Sequence, residues 1–575
     1  NERALNYHSN NEDFDSKNNI LYSASSTSPA LYVDNSTGFT GDYNDLYSNY
    51  TYPVYYSGNQ SFTEYQATGN GANSVNLEPV YNTDSTLVPM RLALDDLGTP
   101  IAGITDDMNG DTRSETTPDM GAIEFTPSGS ALSGTYTVGT GGDYSSFQSA
   151  RDALVANAVS GPVVFNVLAG TYDEPLMLNE IVGASATNTV TFQSADANAD
   201  SVVWENTANS STSNYVLKLN GTDHITLKNI TFKNQGSSYS QKIVLTGVTD
   251  SVSIDNNTFL GYQGGNSSNH VSVYGGGADA EHLKIKSNTF KDGGYYAIYL
   301  DSDNTSSSPT GLEISGNTIT DTYGGIYAEY FDAVTVRGNT IKGSYMLDKG
   351  IYLYYCDGAN AVEDNTIYAP DMGHGIYLNY CQAASGSEAT IVNNLISVED
   401  YGIYMYQYNN YYNVYYNSVK VRDTNALYYY SLNLNNIFNN NILYTESTNT
   451  SALYVANSTG FTGDYNDLYS NYSYPIYYSN GYKTLFVYQA SGQGEHSVEL
   501  DPVYNTDSTL VPMRLALDNL GTPVAGITDD MNGTSRSETA PDMGAIEFTP
   551  SSATLSGTYT IGTGGDYGTL QSVRN

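Results

Sequence analysis

Through the middle of the chain, short runs of alternating apolar and polar residues keep returning. LEIS stands before Asn317 and TIT after it; VTVR stands before Asn339 and TIK after it. Alternation with period two predicts strands whose side chains point in and out by turns. An Asn punctuates each pair of runs: Asn229, Asn257, Asn288, Asn317, Asn339, Asn365, Asn394, Asn417, Asn441 and Asn466. Their spacing averages about 26 residues. Asn tolerates the left-handed backbone, and its amide can bond to the next Asn in a stack, so this series predicts an Asn ladder at a strand corner.

A third run follows each Asn. It reads AIYLDS at Ala297, GIYAEY at Gly325, GIYLYY at Gly350, GIYLNY at Gly375 and GIYMYQ at Gly402, with ALYYYS, ALYVAN and PIYYSN beyond. The residues flanking each Tyr are apolar and are expected inside. The Tyr side chains are then expected outside: Tyr299, Tyr327, Tyr352, Tyr377, Tyr404, Tyr428, Tyr454 and Tyr477. Short strands, Asn and Gly corners and a period in the twenties predict an all-β parallel β-helix, a solenoid. A leucine-rich repeat would need a regular LxxLxL frame, and an antiparallel sandwich would need frequent hairpin dipeptides. Neither occurs. Coils continued from Val164 to Phe548 would number roughly 15 at the strand spacing of a sheet.

A longer period encloses the short one. NSTGFTGDYNDLYSNY occurs at Asn35 and again at Asn457, and PVYNTDSTLVPMRLALD at Pro79 returns at Pro502. The offset is 422 residues before an insertion near Gly481 and 423 after it. The expected organisation is residues 1–126 as the end of a preceding repeat, 127–133 as a small-residue linker, 134–550 as one complete repeat, and 551–575 as a linker and the start of the next. SSFQSARDALVANA places Phe147, Ala150, Leu154 and Ala158 on one face of a short helix. Such a helix would cap the first coil and hide its open edge. The chain is expected to be a slice of a longer protein, so its lack of a signal peptide, sorting tail or transmembrane run carries no information.

Composition sharpens the functional classes. The formal charge is −40, with 61 Asp and Glu against 21 Lys and Arg. Nucleic acid and anionic membrane both need a basic surface, so neither is an expected partner. A polar acidic chain can be disordered, but Tyr, Ile, Leu and Val recur here at fixed intervals.

Some segments resemble known families. GTGGDYSSFQSARDAL and GPVVFNVLAGTYDEPL look like the opening of pectinesterase-type right-handed β-helices. GASATNTVTFQSAD at Gly183 and PDMGAIEF at Pro118 and Pro541 look more like large secreted repeat proteins of Bacteroidota. Those include SprB-like gliding and surface adhesins exported by the type IX system. The resemblance implies right-handed coils in tandem units, each with a short N-terminal capping helix, and an extracellular, cell-surface location. The outward Tyr ladder can stack on sugar rings, on itself or on neighbouring rods, so the expected partners are neighbouring repeat units, other copies in a filament or a surface polysaccharide.

Candidate chemistry is sparse. Pectinesterase would need QDT and DFIFG motifs, which are absent. GHG, a polygalacturonase element, occurs at Gly373–Gly375, but neighbouring coils read YGG, DKG and DYG there, so His374 is expected to be a corner substitution. Arg337 and Lys342 stand without an acidic cluster in the sequence. No enzyme activity is expected. Asp107, Asn109 and Asp111 in DDMNGD resemble the start of a calcium loop, though the second copy has Thr534 for Asp111. An acidic turn explains them too, and no cofactor is expected beyond loosely bound calcium. Cys356 and Cys381 hold one coil position 25 residues apart. Stacked one rung apart, they suit either a disulfide or two packed thiols. The leading reading is a structural and adhesive segment of a giant surface protein; the alternative is a module that binds or cleaves polysaccharide.

Overall fold

The computed structural model describes residues 3–549, apart from 9–12, 26, 82–85, 127–128, 303–307 and 345, together with 558 and 560–563. The content is 41% strand and 7% helix, arranged in about 18 turns of a parallel β-solenoid. The chain is therefore all-β, with right-handed coils. Two compact units are present: Asn1–Phe165 with Ile181–Val190, and Asn166–Glu180 with Thr191–Asn575.

In the second unit each coil has three strand positions, the second and third being one continuous strand in Thr289–Asp301 and Thr318–Glu329. One precedes the ladder Asn, as in Glu313–Ser315 and Thr335–Arg337. One follows it, as in Thr340–Lys342 and Thr366–Ala369. The third carries the Tyr, as in Lys349–Tyr354 and His374–Asn379. Each pairs in parallel with its counterpart one coil on. The alternation works as expected: Ile298, Ile326, Ile351, Ile376 and Ile403 are all fully buried. Aromatic rings stack inside as well, with Phe232, Phe259 and Phe290 spaced 5.4 and 4.6 Å apart.

The ladder runs from Asn257 to Asn466, and its members are buried. Asn339 is typical. Its Nδ2 donates to the Ile314 carbonyl at 2.9 Å and to Asn365 Oδ1 at 3.0 Å, and its backbone N–H donates to the same Oδ1 at 3.0 Å. Its own Oδ1 accepts from the N–H and Nδ2 of Asn317. Ser497 Oγ closes the ladder by accepting from the Asn466 N–H at 3.1 Å.

Two expectations about this ladder need correction. The left-handed backbone belongs to the residue before each ladder Asn, among them Asn256, Ser287, Gly316, Gly338, Asp364, Asn393, Tyr416, Asn440 and Tyr465. The ladder Asn is selected for its amide, which satisfies a corner that would otherwise bury bare polar groups. Asn229 is not a ladder member. It has φ 54° itself and sits beside Asn256, whose Nδ2 donates to its Oδ1 at 2.6 Å. Ile230 occupies the ladder position and donates its N–H to Asn257 Oδ1.

The coils also stop earlier than expected. The last Tyr strand is Ile476–Tyr478, followed by a hairpin partner, Tyr482–Lys483, and a short helix, Leu485–Gln489. From Asp501 to Phe548 there is no strand, because the segment folds back along the coils instead of adding to them. The left-handed corner residues hold it. Asn440 exchanges two hydrogen bonds with Thr522, Tyr416 donates its hydroxyl to the Thr522 carbonyl, and Asn393 donates to the Asp529 carbonyl. Leu510, Leu517, Ala545, Ile546 and Phe548 pack with Leu395 beneath it.

The first unit contains the same coil ending and the same closing segment. Asn44 donates to the Ser16 carbonyl at 2.7 Å as Asn466 does to that of Phe438. Asn18 bonds Thr99 as Asn440 bonds Thr522. The terminal helix, Phe62–Ala67, starts with a capping box of Ser61 and Glu64. The unit continues through Leu132–Val138 into the predicted helix, Phe147–Asn157. Phe147, Ala150 and Leu154 are fully buried. Ala158 lies beyond the helix, which it terminates with φ 60°.

Candidate functional site

All eight outward Tyr residues fall in one register, extended upstream by Tyr274. Tyr327 is buried and the others are half-buried. Their rings meet one another. Tyr377, Tyr404, Tyr428, Tyr454 and Tyr477 stack nearly parallel at 4.9, 4.7, 4.6 and 4.3 Å. Tyr327, Tyr352 and Tyr377 meet edge to face at 5.0 and 4.7 Å. Burial, then the neighbouring phenols, pushes the Tyr377 hydroxyl up to about 12. Burial pushes the Tyr299 hydroxyl to about 12 as well, assisted by Asp301 and Glu329. These side chains stay neutral donors and acceptors under ordinary conditions. A sugar ring stacks on an aromatic face, and in this column the faces already cover each other.

A second Tyr column escaped the sequence reading. Tyr330, Tyr355, Tyr380 and Tyr408 stack at 5.1, 4.7 and 5.2 Å. All four have positive φ, between 49° and 59°. The signal was present as a second Tyr three or four residues after the first. Bulky residues rarely adopt that conformation, so it could not be read as a corner in advance.

His374 is a strand residue, in register between Lys349 and Tyr401, not a corner. Its ring stacks on Tyr401 at 5.2 Å and meets the edges of Tyr377 and Tyr404. Burial, reinforced by Lys349, lowers its pKa to about 4, so it is neutral at physiological pH.

Arg337 also differs from expectation, because it does stand among acids. Its Nε donates to Asp364 Oδ2 at 2.9 Å. The pair borders a groove of about 440 Å³ lined also by Glu363, Asn393, Asp529 and Asp530. Asp364 comes from the next coil and Asp529 and Asp530 from the closing segment, so no local window reveals the cluster. These carboxylates have partners. Glu363 accepts from Thr390, and Asp530 accepts from the N–H groups of Asn532, Thr534 and Glu547. Lys342 is exposed.

Asp107 repeats the Asp530 arrangement. Its carboxylate accepts from the N–H groups of Asn109, Asp111 and Glu124 at 2.7, 2.9 and 3.0 Å. DDMNGD is thus wound around one aspartate as a turn. Among the described residues, no group of three His, Cys, Asp or Glu is placed to hold a metal ion. Cys356 and Cys381 are buried free thiols. Each donates to a carbonyl of the preceding coil, Ala328 and Leu353, at 3.3 Å.

A family model described as a right handed beta helix region matches residues 190–341. The coils in question are parallel β-helix coils. A second model, described as periplasmic copper-binding protein NosD, matches residues 304–485. Within that span the thiols are spent on backbone carbonyls and His374 lies between tyrosine rings, so these residues do not fit a copper site. No curated protein matches the chain. Solved structures resemble it distantly. The GH136 lacto-N-biosidase from Eubacterium ramulus is 11% identical, covering 60% of this chain and 68% of that one, with TM-score 0.37. Pectate lyase Pel9A is 14% identical, covering 73% and 98%, with TM-score 0.33. The Streptococcus pneumoniae surface protein and adhesin PfbA is 14% identical, covering 58% and 94%, with TM-score 0.32. Likenesses this distant carry no functional argument. No helix among the described residues is long and apolar enough to cross a membrane.

Proposed function

We propose that this chain is a structural and adhesive segment of a giant repetitive extracellular surface protein, of the kind that Bacteroidota export through the type IX system for attachment or gliding. The observation that carries this reading is that the recurrent side chains serve neighbouring coils. The Asn amides bond along the ladder, and the Tyr rings of the main column stack on each other. Residues 4–152 recur at 426–575, which fits a chain extended by repetition. Weak contacts by the outward hydroxyl edges would be multiplied by repeat number.

The second reading, a polysaccharide-binding or polysaccharide-cleaving module, is favoured by one observation: the acidic groove at Arg337. Incubation with pectin, alginate and host-type glycans separates the two. The scaffold reading expects no new reducing ends or unsaturated products, and attachment of the parent protein that falls by degrees as repeats are removed. Turnover abolished by Arg337→Ala would replace it with the enzyme reading.

A further inference from the structure

The helix Phe147–Asn157 opens one repeat, yet its charged side chain is held by the repeat before it. Arg151, the fifth residue of the helix, pairs with Glu78 of the preceding closing segment. The two side chains are only 8% and 12% exposed. Asp152 also pairs with Arg151, at 3.0 Å. The helix packs on the 3-10 turn Leu92–Leu94, where Leu94 is fully buried. Arg91, at the head of that turn, donates to the Glu78 carbonyl at 3.2 Å and so fixes the acidic residue in place.

The second copy rebuilds the receiving side. Asp501 replaces Glu78, Arg514 replaces Arg91, and the 3-10 turn recurs at Leu515–Leu517. Arg514 donates to the Asp501 carbonyl at 3.3 Å. The sequence GTYTIGTGGDYGTLQSVRN, Gly557–Asn575, repeats Gly134–Asp152 and puts Arg574 where Arg151 stands. The acid varies in length between copies but keeps its charge, and the Arg is kept in a chain with only 21 basic residues.

We propose that each closing segment is a docking surface for the capping helix of the following repeat, keyed by an acid at position 78 or 501 and an Arg on the helix. The intervening TPSGSALS would act as a flexible tether by composition alone. A buried ion pair across it converts the tether into a folded joint, because a buried charge is tolerated only with its partner. The joint presupposes the tandem array of the proposed function but not adhesion.

Hydrogen exchange of the Phe147–Asn157 amides in the whole chain tests it, using Glu78→Gln, Arg151→Gln and the double variant. Glu78→Gln leaves the helix sequence untouched. It should nevertheless speed exchange there on the order of a hundredfold, the effect of stranding one partner of a buried pair. The double variant should exchange no faster than the worse single variant. Native exchange in Glu78→Gln would show that the helix serves its own repeat alone and would overturn the joint. Effects of the two changes that simply multiply would also overturn it. Exchange does not involve attachment, so either outcome leaves the adhesive reading to its own assay.

Discussion

Between Asn257 and Asn466 a side chain meets its own kind one coil away; in the closing segment, Asp501–Phe548, contacts are made once within a copy. Asn339 touches Asn317 and Asn365 in the same way that they touch their neighbours. Arg536 has a set of partners of its own. Its guanidinium donates to the Asp542 and Gly544 carbonyls, to Glu547 and to Asn393, and lies 3.9 Å over the Tyr416 ring. Periodic contacts tolerate coils of differing length, because each rung is judged only against the next. The unique contacts locate one segment at one place. PDMGAIEF is identical at Pro118 and Pro541, and so is the coil stretch NSTGFTGDYNDLYSNY at Asn35 and Asn457, whereas successive coils within a copy differ from one another.

The comparison can be broken most forcefully at Arg536. Its side chain is 2% exposed. Arg536→Ala should destabilise the chain by about 3–5 kcal/mol, since it takes the cation from the half-buried Glu547 carboxylate and the donor from buried Asn393 Oδ1. Chemical denaturation followed by tyrosine fluorescence would measure it. A loss below about 1 kcal/mol would mean that the closing segment is dispensable.

In the ladder, Asn339→Val should cost about 3 kcal/mol. It strands the Asn317 N–H and takes one partner each from Asn317 Nδ2 and the Ile314 carbonyl, while Asn365 Oδ1 keeps the residue-339 N–H; backbone strain does not contribute because φ is ordinary at this residue. Lys342→Ala on the same coil is the control and should lie within about 0.5 kcal/mol of zero. Equal denaturation midpoints for the two would remove the ladder's role.

The Tyr column should yield less per residue. Tyr404 stacks on Tyr377 and Tyr428. Tyr404→Ala should cost about 2 kcal/mol and Tyr404→Phe much less, because stacking and not the hydroxyl carries the contact. Parallel melting curves of the two variants would check this, and a larger loss in Tyr404→Phe would contradict it.

The smallest effect, counted per group and per pH unit, is a dependence on pH where coils meet closing segments. Asp45 and Asp467 hold equivalent places, fully buried. Each accepts one backbone N–H, from Leu77 and Leu500 at 2.9 Å. Desolvation raises Asp45 to about 8 and Asp467 well above its usual value. A raised carboxyl favours the folded state fully below its unfolded value of 3.8, and that advantage is lost as pH rises through the folded value near 8. The slope is at most about 1.4 kcal/mol per pH unit per group. Asp45→Asn with Asp467→Asn should flatten the melting temperature between pH 4 and pH 8. An unchanged slope would show that both carboxyls ionise freely in the fold.

Much of the coil array was legible in the amino-acid order. Alternation set which residues face inward, and spacing of the Asn and Tyr runs set the rungs, because a solenoid makes neighbours in space out of equivalents about 26 residues apart. What the order left open depends on contacts with no period. Asn229 looks like the ladder residues yet falls one position before the ladder slot, a shift that only hydrogen-bonded register exposes. Tyr330 and Tyr355 occupy left-handed corners that Tyr disfavours intrinsically, held there by stacking across coils. Arg337 meets Asp364 from the next coil and shares a groove with Asp529 from the returning segment. The strapping of Thr522 to Asn440 and of Arg151 to Glu78 joins residues that no local propensity relates. Local order specified the coil because each coil repeats the same local solution; the single long-range contacts that terminate and join the coils were decided by the tertiary structure alone.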